Sequence, residues 1–209
     1  MNTISRTRSS ISPSARPDDP LIIVGRLPHV FELDSAALHR VLGPLGVRGF
    51  VADQILEWVY RHGITDPTLM TNLSNAVRTA LPELVEFERG TIVTDQLATD
   101  GTDKLLIEWD APMLPVLNDE TASKRRTETV MIPDGTRRTA CVSSQIGCPV
   151  GCTFCASGIG GLDGNLTTGQ IVEQIHHLRL RDGIDRITNI VFMGMGEPLA
   201  NMSAVMGAI

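Results

Sequence analysis

The four cysteines of this 209-residue chain are confined to a short stretch between positions 141 and 155. Three of them, Cys148, Cys152 and Cys155, form a Cys-x3-Cys-x2-Cys spacing. Crowded thiols in a chain without a secretion signal favour metal binding over a disulfide framework. Thiolates are soft ligands suited to iron–sulfur clusters, and a short loop loosened by Gly147 and Gly151 can surround one cubane. Three ligands would leave one iron open to a small molecule.

Two other kinds of metal site use the same residue types. A structural zinc site would need a fourth ligand from Cys141, His176 or His177, and the two usual Cys-x2-Cys knuckles are absent from the sequence. An electron-transfer ferredoxin would need a fourth cluster cysteine, usually with a proline after the last one. We therefore predict an open iron–sulfur site, with zinc as the main alternative.

The composition, 42% hydrophobic and 20% charged, is that of a soluble globular chain with one domain or two small ones. No run approaches the ~20 apolar residues of a membrane span, and no apolar secretory signal is present at the N-terminus. We expect a cytoplasmic protein without a membrane partner. Residues 1–30, where arginines among serines loosely resemble a transit peptide, are predicted to be a disordered tail.

The net charge of −6 provides no global basic field that would attract nucleic acid. Any RNA binding would have to come from local basic groups. The candidates are Lys124, Arg125, Arg126, Arg137 and Arg138. A charge run of this kind is more often a solvated face, so it does not indicate RNA by itself.

Three short helices are predicted in the first part of the chain. Asp34 is a capping residue before a helical apolar repeat that stops at Gly43. A second helix carries apolar residues at i, i+4, i+7 and i+8 from Val51 and stops at Gly63. A third is expected within residues 69–84, with Ser74 as its cap and Pro82 as a breaker. We predict a small helical domain over residues 31–89.

From position 90 the pattern changes to strands and hairpins, predicted at residues 91–97, 104–109, 128–132 and 138–143. Residues 111–123 are predicted to form a loop. A capping box at Thr167 and Gln170 begins a further helix, closed by Gly183. The apolar run at residues 190–193 is expected to be a strand buried on both faces. The order of strand, cysteine loop, helix and strand is a βαβ unit, with its site at the carboxyl ends of parallel strands.

The cysteine spacing, with Phe154 before the last cysteine, resembles the signature of radical-SAM enzymes. The resemblance implies a 4Fe–4S cluster, held by Cys148, Cys152 and Cys155, that binds S-adenosylmethionine (SAM) at its free iron. Residues 194–198 are similar to the glycine-and-glutamate SAM loop of that superfamily. There, Gly196 would let the backbone approach the ligand, and Glu197 would accept hydrogen bonds from the SAM ammonium.

Within the superfamily, residues 141–158, 165–168 and 192–199 resemble the RlmN/Cfr family of RNA methyltransferases, as do residues 52–58, 100–104 and 128–133. The resemblance covers nearly everything from about residue 33 onward, apart from residues 111–124. It implies an α/β fold: a partial radical-SAM (βα)6-type barrel at 138–209, preceded by the helical, RNA-binding-like domain and a β-hairpin extension at 90–137. It also implies methylation of carbon 2 of adenine in 23S rRNA and tRNA, with a flavodoxin-like or other reductant. Pro198 favours carbon 2, because the carbon-8 enzymes tend to have alanine there.

The resemblance assigns two further residues. Cys141, seven residues before the first cluster ligand, matches the cysteine that forms a transient disulfide to release the product. Glu128, thirteen residues before Cys141, matches the proton acceptor. Without the resemblance, Cys141 would be interpreted as a small buried strand residue and Glu128 as a solvent-facing one.

The family's methyl-carrying cysteine has no counterpart among these residues, and only part of a six-repeat barrel is present. We therefore expect a truncated or interrupted gene product that is inactive alone. A non-catalytic alternative is a fragment in which residues 30–140 bind RNA and the cysteine region is vestigial.

Overall fold

The computed structural model describes residues 26–110, 125–181, 183–184 and 186–209. The sequence-predicted loop at 111–123, Lys124 and nearly all of the predicted tail lie outside these ranges. The α-helices are α1 (Ser35–Val41), α2 (Phe50–Tyr60), α3 (Asn75–Ala80), α4 (Thr168–Arg179) and α5 (Met202–Ala208). The strands are β1 (Gly90–Leu97), β2 (Asp103–Trp109), β3 (Arg126–Asp134), β4 (Arg137–Cys141), β5 (Gln145–Gly147), β6 (Leu162–Asn165) and β7 (Asn189–Val191).

Helices α1 to α3 form the first module, and their starts follow the predicted caps. The Asp34 side chain accepts a hydrogen bond from the Ala37 N–H at 2.7 Å, and Ser74 does the same for Val77 at 3.4 Å. Helix α3 is shorter than predicted because 3-10 turns at Pro67–Leu69 and Leu81–Glu83 flank it. The module has its own apolar core, which includes Leu38, Leu42, Ile55, Met70 and Leu81.

Five strands form one mixed sheet in the order β1-β2-β3-β4-β7. The first three pairs are antiparallel, as the predicted hairpins require, and β4 pairs with β7 in parallel. Helix α4 connects β4 to β7, so the predicted βαβ unit is present. The α/β fold is confirmed, although the described residues form no closed barrel. Strands β1 to β3 belong to the same sheet as β4 and β7.

The two faces of the sheet differ in burial. Leu105, Ile107 and Met131 alternate onto one face, where they pack with Ile171 and Leu178 of α4 in a second apolar core. The opposite face, called the second face below, is half-exposed or exposed and carries Leu106, Glu128, Val130 and Cys141.

Strand β7 differs from its prediction. It covers Asn189–Val191, and Ile190 is 46% exposed, so the expectation of a strand buried on both faces is wrong. The reason is its position: β7 is the last strand in the sheet order and pairs only with β4 within the described residues. An apolar run alone does not indicate how many of its faces other elements cover.

Helix α4 also joins the first module to the sheet. Its buried Glu173 accepts hydrogen bonds from the N–H groups of Arg89 and Gly90 at 2.9 and 2.8 Å. The Glu173 carboxylate lies 3.2 Å from His29 Nε2 and 3.4 Å from His177 Nε2. At the carboxyl end of α4, a second contact with the first module is exposed to solvent.

That contact is made by Arg179, whose guanidinium donates to the backbone carbonyls of Tyr60 and Arg61, at 2.6 Å for Arg61. These carbonyls lie at the carboxyl end of α2, where unsatisfied acceptors and the helix dipole favour a cation. Helix α4 is therefore held against the first module at its middle, by Glu173, and at its carboxyl end, by Arg179.

None of the helices in the described part of the chain is both long and apolar enough to cross a bilayer.

Candidate functional site

The cysteine loop follows β5 directly. Cys148 is buried, and its N–H donates to the Gly161 carbonyl at 2.9 Å, whereas Cys152 and Cys155 are exposed. Gly147 has a φ of +74°, and a Cβ there would lie 2.1 Å from the Gly161 oxygen. The close approach of these two backbone segments therefore requires glycine at this position. All four cysteines are free thiols.

The three thiols are not gathered around one point. Within residues 26–110, 125–181, 183–184 and 186–209, no group of three or more His, Cys, Asp or Glu side chains is arranged to hold a metal ion. A single-zinc site at the cysteines, with Cys141, His176 or His177 as fourth ligand, therefore gains no support. In a 4Fe–4S cubane each cysteine binds a different iron, so its ligands need not converge on one ion.

The donor set fits such a cluster. Three unpaired soft thiols lie within eight residues, and hydrogen bonds from the Ser157 N–H and hydroxyl lower the pKa of Cys155, which favours its thiolate. Gly151 has open space around it, so the loop can adjust. The assignment of Cys148, Cys152 and Cys155 as cluster ligands remains a prediction.

Residues 194–197, called the glycine loop below, lie against residues 142–145. The Gly194 N–H donates to the Val142 carbonyl at 3.2 Å, and the Ser144 N–H donates to the Met195 carbonyl at 2.9 Å. Gly196 has a φ of +99°, and a Cβ there would lie 2.6 Å from that of Gln145. Only glycine allows this approach, so the loop is seated on the segment that leads into the cysteines.

Glu197 stands at the end of this loop and caps the following 3-10 turn. One of its carboxylate oxygens accepts from the Leu199 N–H at 3.0 Å, and its own N–H donates to the Gln145 side chain at 2.8 Å. The side chain is partly exposed. Gly196 and Glu197 are thus held in place, while their predicted contact with SAM remains a prediction.

Ser143 links the glycine loop to β3. Its hydroxyl accepts from the Met195 N–H at 2.9 Å and donates to the Glu128 carbonyl at 2.6 Å. Gln174 of α4 holds the Ser143 backbone with two hydrogen bonds of 2.9 Å. The backbone of Glu128 is therefore tied, through one buried hydroxyl, to the predicted SAM loop.

The two residues assigned catalytic roles share the second face of the sheet. Cys141 pairs with Val130, two residues after Glu128, so the two side chains are diagonal neighbours on adjacent strands. Burial raises the pKa of Cys141, with partial compensation from the Met193 N–H. The Glu128 carboxylate is 3.0 Å from Lys104 Nζ and about half exposed. Their roles remain predictions.

Of the basic residues noted in the sequence, the four that the structure describes do not form one patch. Arg125 lies 3.5 Å from Asp163, and Arg126 lies 2.7 Å from Glu108. Arg137 and Arg138 instead line a cleft of about 650 Å³ at the opposite end of β4 from the cysteines. The interpretation of the run as a solvated face fits Arg125 and Arg126, which pair with acidic neighbours.

Sequence reasoning missed the polar residues that connect these loops. Ser143, Gln145 and Gln174 are fully buried. The partners of these residues described above lie 15 to 52 residues away in the sequence. The signal in the sequence is a run of three polar residues, 143–145, shortly after the apolar end of β4.

Comparisons with known proteins agree with this architecture. Residues 29–87 match the model of the ribosomal RNA large subunit methyltransferase N-terminal domain. The chain is 38% identical over 183 residues to the dual-specificity RNA methyltransferase RlmN of Alkalilimnicola ehrlichii, and 42% identical over 176 residues to that of Halorhodospira halophila. These alignments cover 87% and 84% of this chain. The chain belongs to the RlmN family.

A solved structure supports the same assignment. The crystal structure of a radical SAM methyltransferase from Sphaerobacter thermophilus superposes with a TM-score of 0.76 at 36% identity, over 86% of this RlmN-family chain and 50% of that one. The chain spans about half the length of the curated RlmN relatives, 48% and 46% for the two above. The family and the α/β fold predicted from the sequence are confirmed.

Proposed function

We propose that this RlmN-family chain carries the cofactor-binding part of a radical-SAM methyltransferase that acts on carbon 2 of adenine in 23S rRNA and tRNA, in the cytoplasm. The observation that supports this most is the seating of the glycine loop on residues 142–145. This contact joins the proposed SAM loop to the segment that enters the cysteine loop. The relatives named RNA methyltransferases supply the reaction class.

Cys148, Cys152 and Cys155 would hold a 4Fe–4S cluster, which, when bound, supplies the electron for reductive cleavage of SAM. The chain's own residues would then bind and orient SAM. Gly196 would contact SAM through its backbone, which is held in place by close packing against Gln145 and Ser144, and the Glu197 carboxylate would accept hydrogen bonds from the SAM ammonium. A flavodoxin-like or other reductant would deliver the electron from outside.

Glu128 and Cys141 would serve the later steps on the second face. Glu128 would take the proton that leaves carbon 2 of adenine as the new carbon–carbon bond is completed. The Cys141 thiolate would then attack the sulfur of the methyl-carrying cysteine, so that the disulfide forms as the bond from that sulfur to the transferred carbon breaks. The released carbon keeps the electron pair of that bond and takes up a proton to become the methyl group of the product. This assignment commits all four cysteines of the sequence, so the methyl-carrying cysteine would come from residues outside it.

Anaerobic reconstitution with iron and sulfide tests the cofactor part of the proposal. The expected product is a brown protein with about four irons per chain, whose absorption or electron paramagnetic resonance spectrum changes when SAM is added. Replacing the three predicted ligands with alanine should abolish the colour, whereas the matched variant Cys141→Ala should keep it. A colourless protein that holds one zinc would refute the proposal.

Methyl transfer is tested with the reconstituted chain, SAM carrying a labelled methyl group, a reductant and unmodified 23S rRNA or tRNA. We expect no 2-methyladenine from this chain alone. Formation of 2-methyladenine would contradict the assignment of the methyl-carrying cysteine to residues outside the sequence, and 8-methyladenine would contradict carbon 2 as the target.

A second candidate function is RNA binding without catalysis. It is favoured by the separate apolar core of the first module, which matches a domain model of its own. This function predicts rRNA or tRNA binding that weakens with salt and survives Cys148→Ala without any cluster. Complete loss of binding in that variant would count against it.

A further inference from the structure

We propose that Gln145 is a positioning residue that holds the glycine loop in register with the cysteine loop and so sets the affinity for SAM. The inference rests on the proposed function for the role of SAM. No part of the family resemblance assigns a role to this residue.

The Gln145 side chain lies at the junction of three segments. Its Oε1 accepts from the Glu197 N–H at 2.8 Å, and its Nε2 donates to Asn165 Oδ1 at 2.7 Å. The residue is fully buried, at 0% exposure. Its backbone pairs with Asn165 across the short β5–β6 hairpin, and Cys148 follows three residues later. One amide therefore joins β5, β6 and the glycine loop.

The orientation of the amide follows from chemistry. A backbone N–H can only donate, so the atom that faces Glu197 must be the Gln145 oxygen. The amide nitrogen then has to find an acceptor, and Asn165 Oδ1 provides it. A buried amide is unfavourable unless both of its ends are bonded, and here both are.

The position of the amide connects it to ligand binding rather than to general packing. Glu197 is the residue proposed to meet the SAM ammonium, and the contact from Gln145 fixes its backbone nitrogen. The neighbouring Gly196 is so close to Gln145 that a Cβ would lie 2.6 Å from the Gln145 Cβ. An apolar side chain of the same length would fill the space but leave the Glu197 N–H without its acceptor.

The test compares Gln145→Met with the matched control Gln170→Met in the reconstituted full chain. Gln170 is also a buried glutamine that bonds to a backbone N–H, that of Thr167 at 2.9 Å, but it serves the cap of α4. We expect Gln145→Met to keep its iron content and to bind SAM roughly fivefold to tenfold more weakly by spectral titration. Gln170→Met should bind SAM as the wild type does.

Gln145→Glu provides a conservative rescue. It keeps an acceptor for the Glu197 N–H, and Asn165 can turn its amide to donate to the second carboxylate oxygen. Its SAM affinity should lie between that of wild type and that of Gln145→Met. If Gln145→Met does not fold, Gln145→Asn, which is one methylene too short for the contact, takes its place.

A second readout does not depend on SAM. Hydrogen exchange of a peptide covering residues 194–199 should be about tenfold faster in Gln145→Met than in wild type, and unchanged in Gln170→Met. Unchanged exchange together with unchanged SAM affinity would overturn the inference. A wild-type chain that holds its cluster but does not respond to SAM would instead contradict the proposed function, and the exchange result would still decide whether Gln145 orders the loop.

Discussion

The side chains of Glu128 and Cys141 project from the same face of the sheet, on neighbouring strands, because Cys141 pairs with Val130 two residues beyond Glu128. Their backbones are tied to the same segment: Ser143 binds the Glu128 carbonyl and follows Cys141 by two residues. Glu128 needs neither burial nor a rigid partner to occupy this position. Its side chain is therefore available for chemistry without supporting the fold.

Glu128→Gln is expected to change the free energy of unfolding by less than about 0.5 kcal/mol, since exposed ion pairs such as that with Lys104 contribute little. Urea unfolding checks this. The adjacent control Thr127→Val points to the opposite, buried face and removes the acceptor of the Trp109 indole N–H, so about 1–3 kcal/mol should be lost. A loss above about 2 kcal/mol for Glu128→Gln would indicate a structural role instead.

Gly196→Ala should destabilise the chain more than its backbone angle alone explains. Its φ of +99° disfavours any side chain, and the added Cβ would meet Gln145 and Ser144 at 2.6 to 2.8 Å. Gly135 has a φ of +56° with nothing within 4 Å, so Gly135→Ala isolates the backbone contribution of about 1–2 kcal/mol. Thermal unfolding should show a larger loss for Gly196→Ala, together with weaker SAM binding; equal losses would contradict the close packing.

Glu173 makes the chain sensitive to acid. Burial raises the pKa of its carboxyl, but the approach of His177 and His29 and the Gly90 N–H outweigh this and lower the pKa to about 2. A depressed folded-state pKa gives stability that is present above the ordinary value of 4.5 and is lost as the pH falls toward about 2. Glu173→Gln should lower the free energy of unfolding at pH 7 by about 2 kcal/mol. It should also make that free energy vary less with pH between 4.5 and about 2.

Urea titrations at several pH values measure this effect. Glu57→Gln, which alters an exposed pair with Arg61, is the control and should leave the acid profile unchanged. If Glu173→Gln kept the wild-type profile between pH 4.5 and 2, the carboxylate would not carry the acid sensitivity.

His176 should make the stability of the chain depend on pH in a higher range than Glu173 does. Burial, assisted by the charge of His177, lowers its pKa from 6.5 to about 4, so the unfolded chain takes up a proton before the folded one does. Stability is therefore lost as the pH falls from 6.5 to about 4. The His176 ring lies 5.2 Å from Phe31, and its Nε2 has no hydrogen-bond partner within the described part of the chain.

His176→Phe should keep full stability at pH 7.5 and flatten the profile between pH 6.5 and 4. The exposed His39, replaced by glutamine, serves as the control. A profile in His176→Phe as steep as that of wild type would assign the pH dependence to other groups.

Local patterns in the sequence predicted the elements that local contacts determine. The capping box at Thr167 and Gln170 begins α4 as expected. The glycines at 101 and 135 have positive φ and close the β1–β2 and β3–β4 hairpins, as predicted. The spacing of the cysteines is also local, so the candidate cluster site could be identified without a fold.

Contacts between distant parts of the chain were not predictable in the same way. The β5–β6 hairpin has three- and four-residue strands, too few side chains for a detectable alternation, and helix α5 was also missed. The roles of Ser143 and Gln145 depend on partners 52 residues later in the chain. The neighbours of a buried serine or glutamine in the sequence do not indicate from which distant N–H group it will accept a hydrogen bond.

The bonds from Arg179 to the end of α2 also determine how the two parts of the chain can move. If the first module turned about its connection near residues 88–90, Arg179 would lose its hydrogen bonds to the carbonyls of Tyr60 and Arg61, and the Glu173 carboxylate would become exposed. These contacts therefore hold the first module in one orientation relative to the sheet. A ligand bound to this module would therefore keep one orientation relative to the sheet, set by the fold and not by a flexible linker.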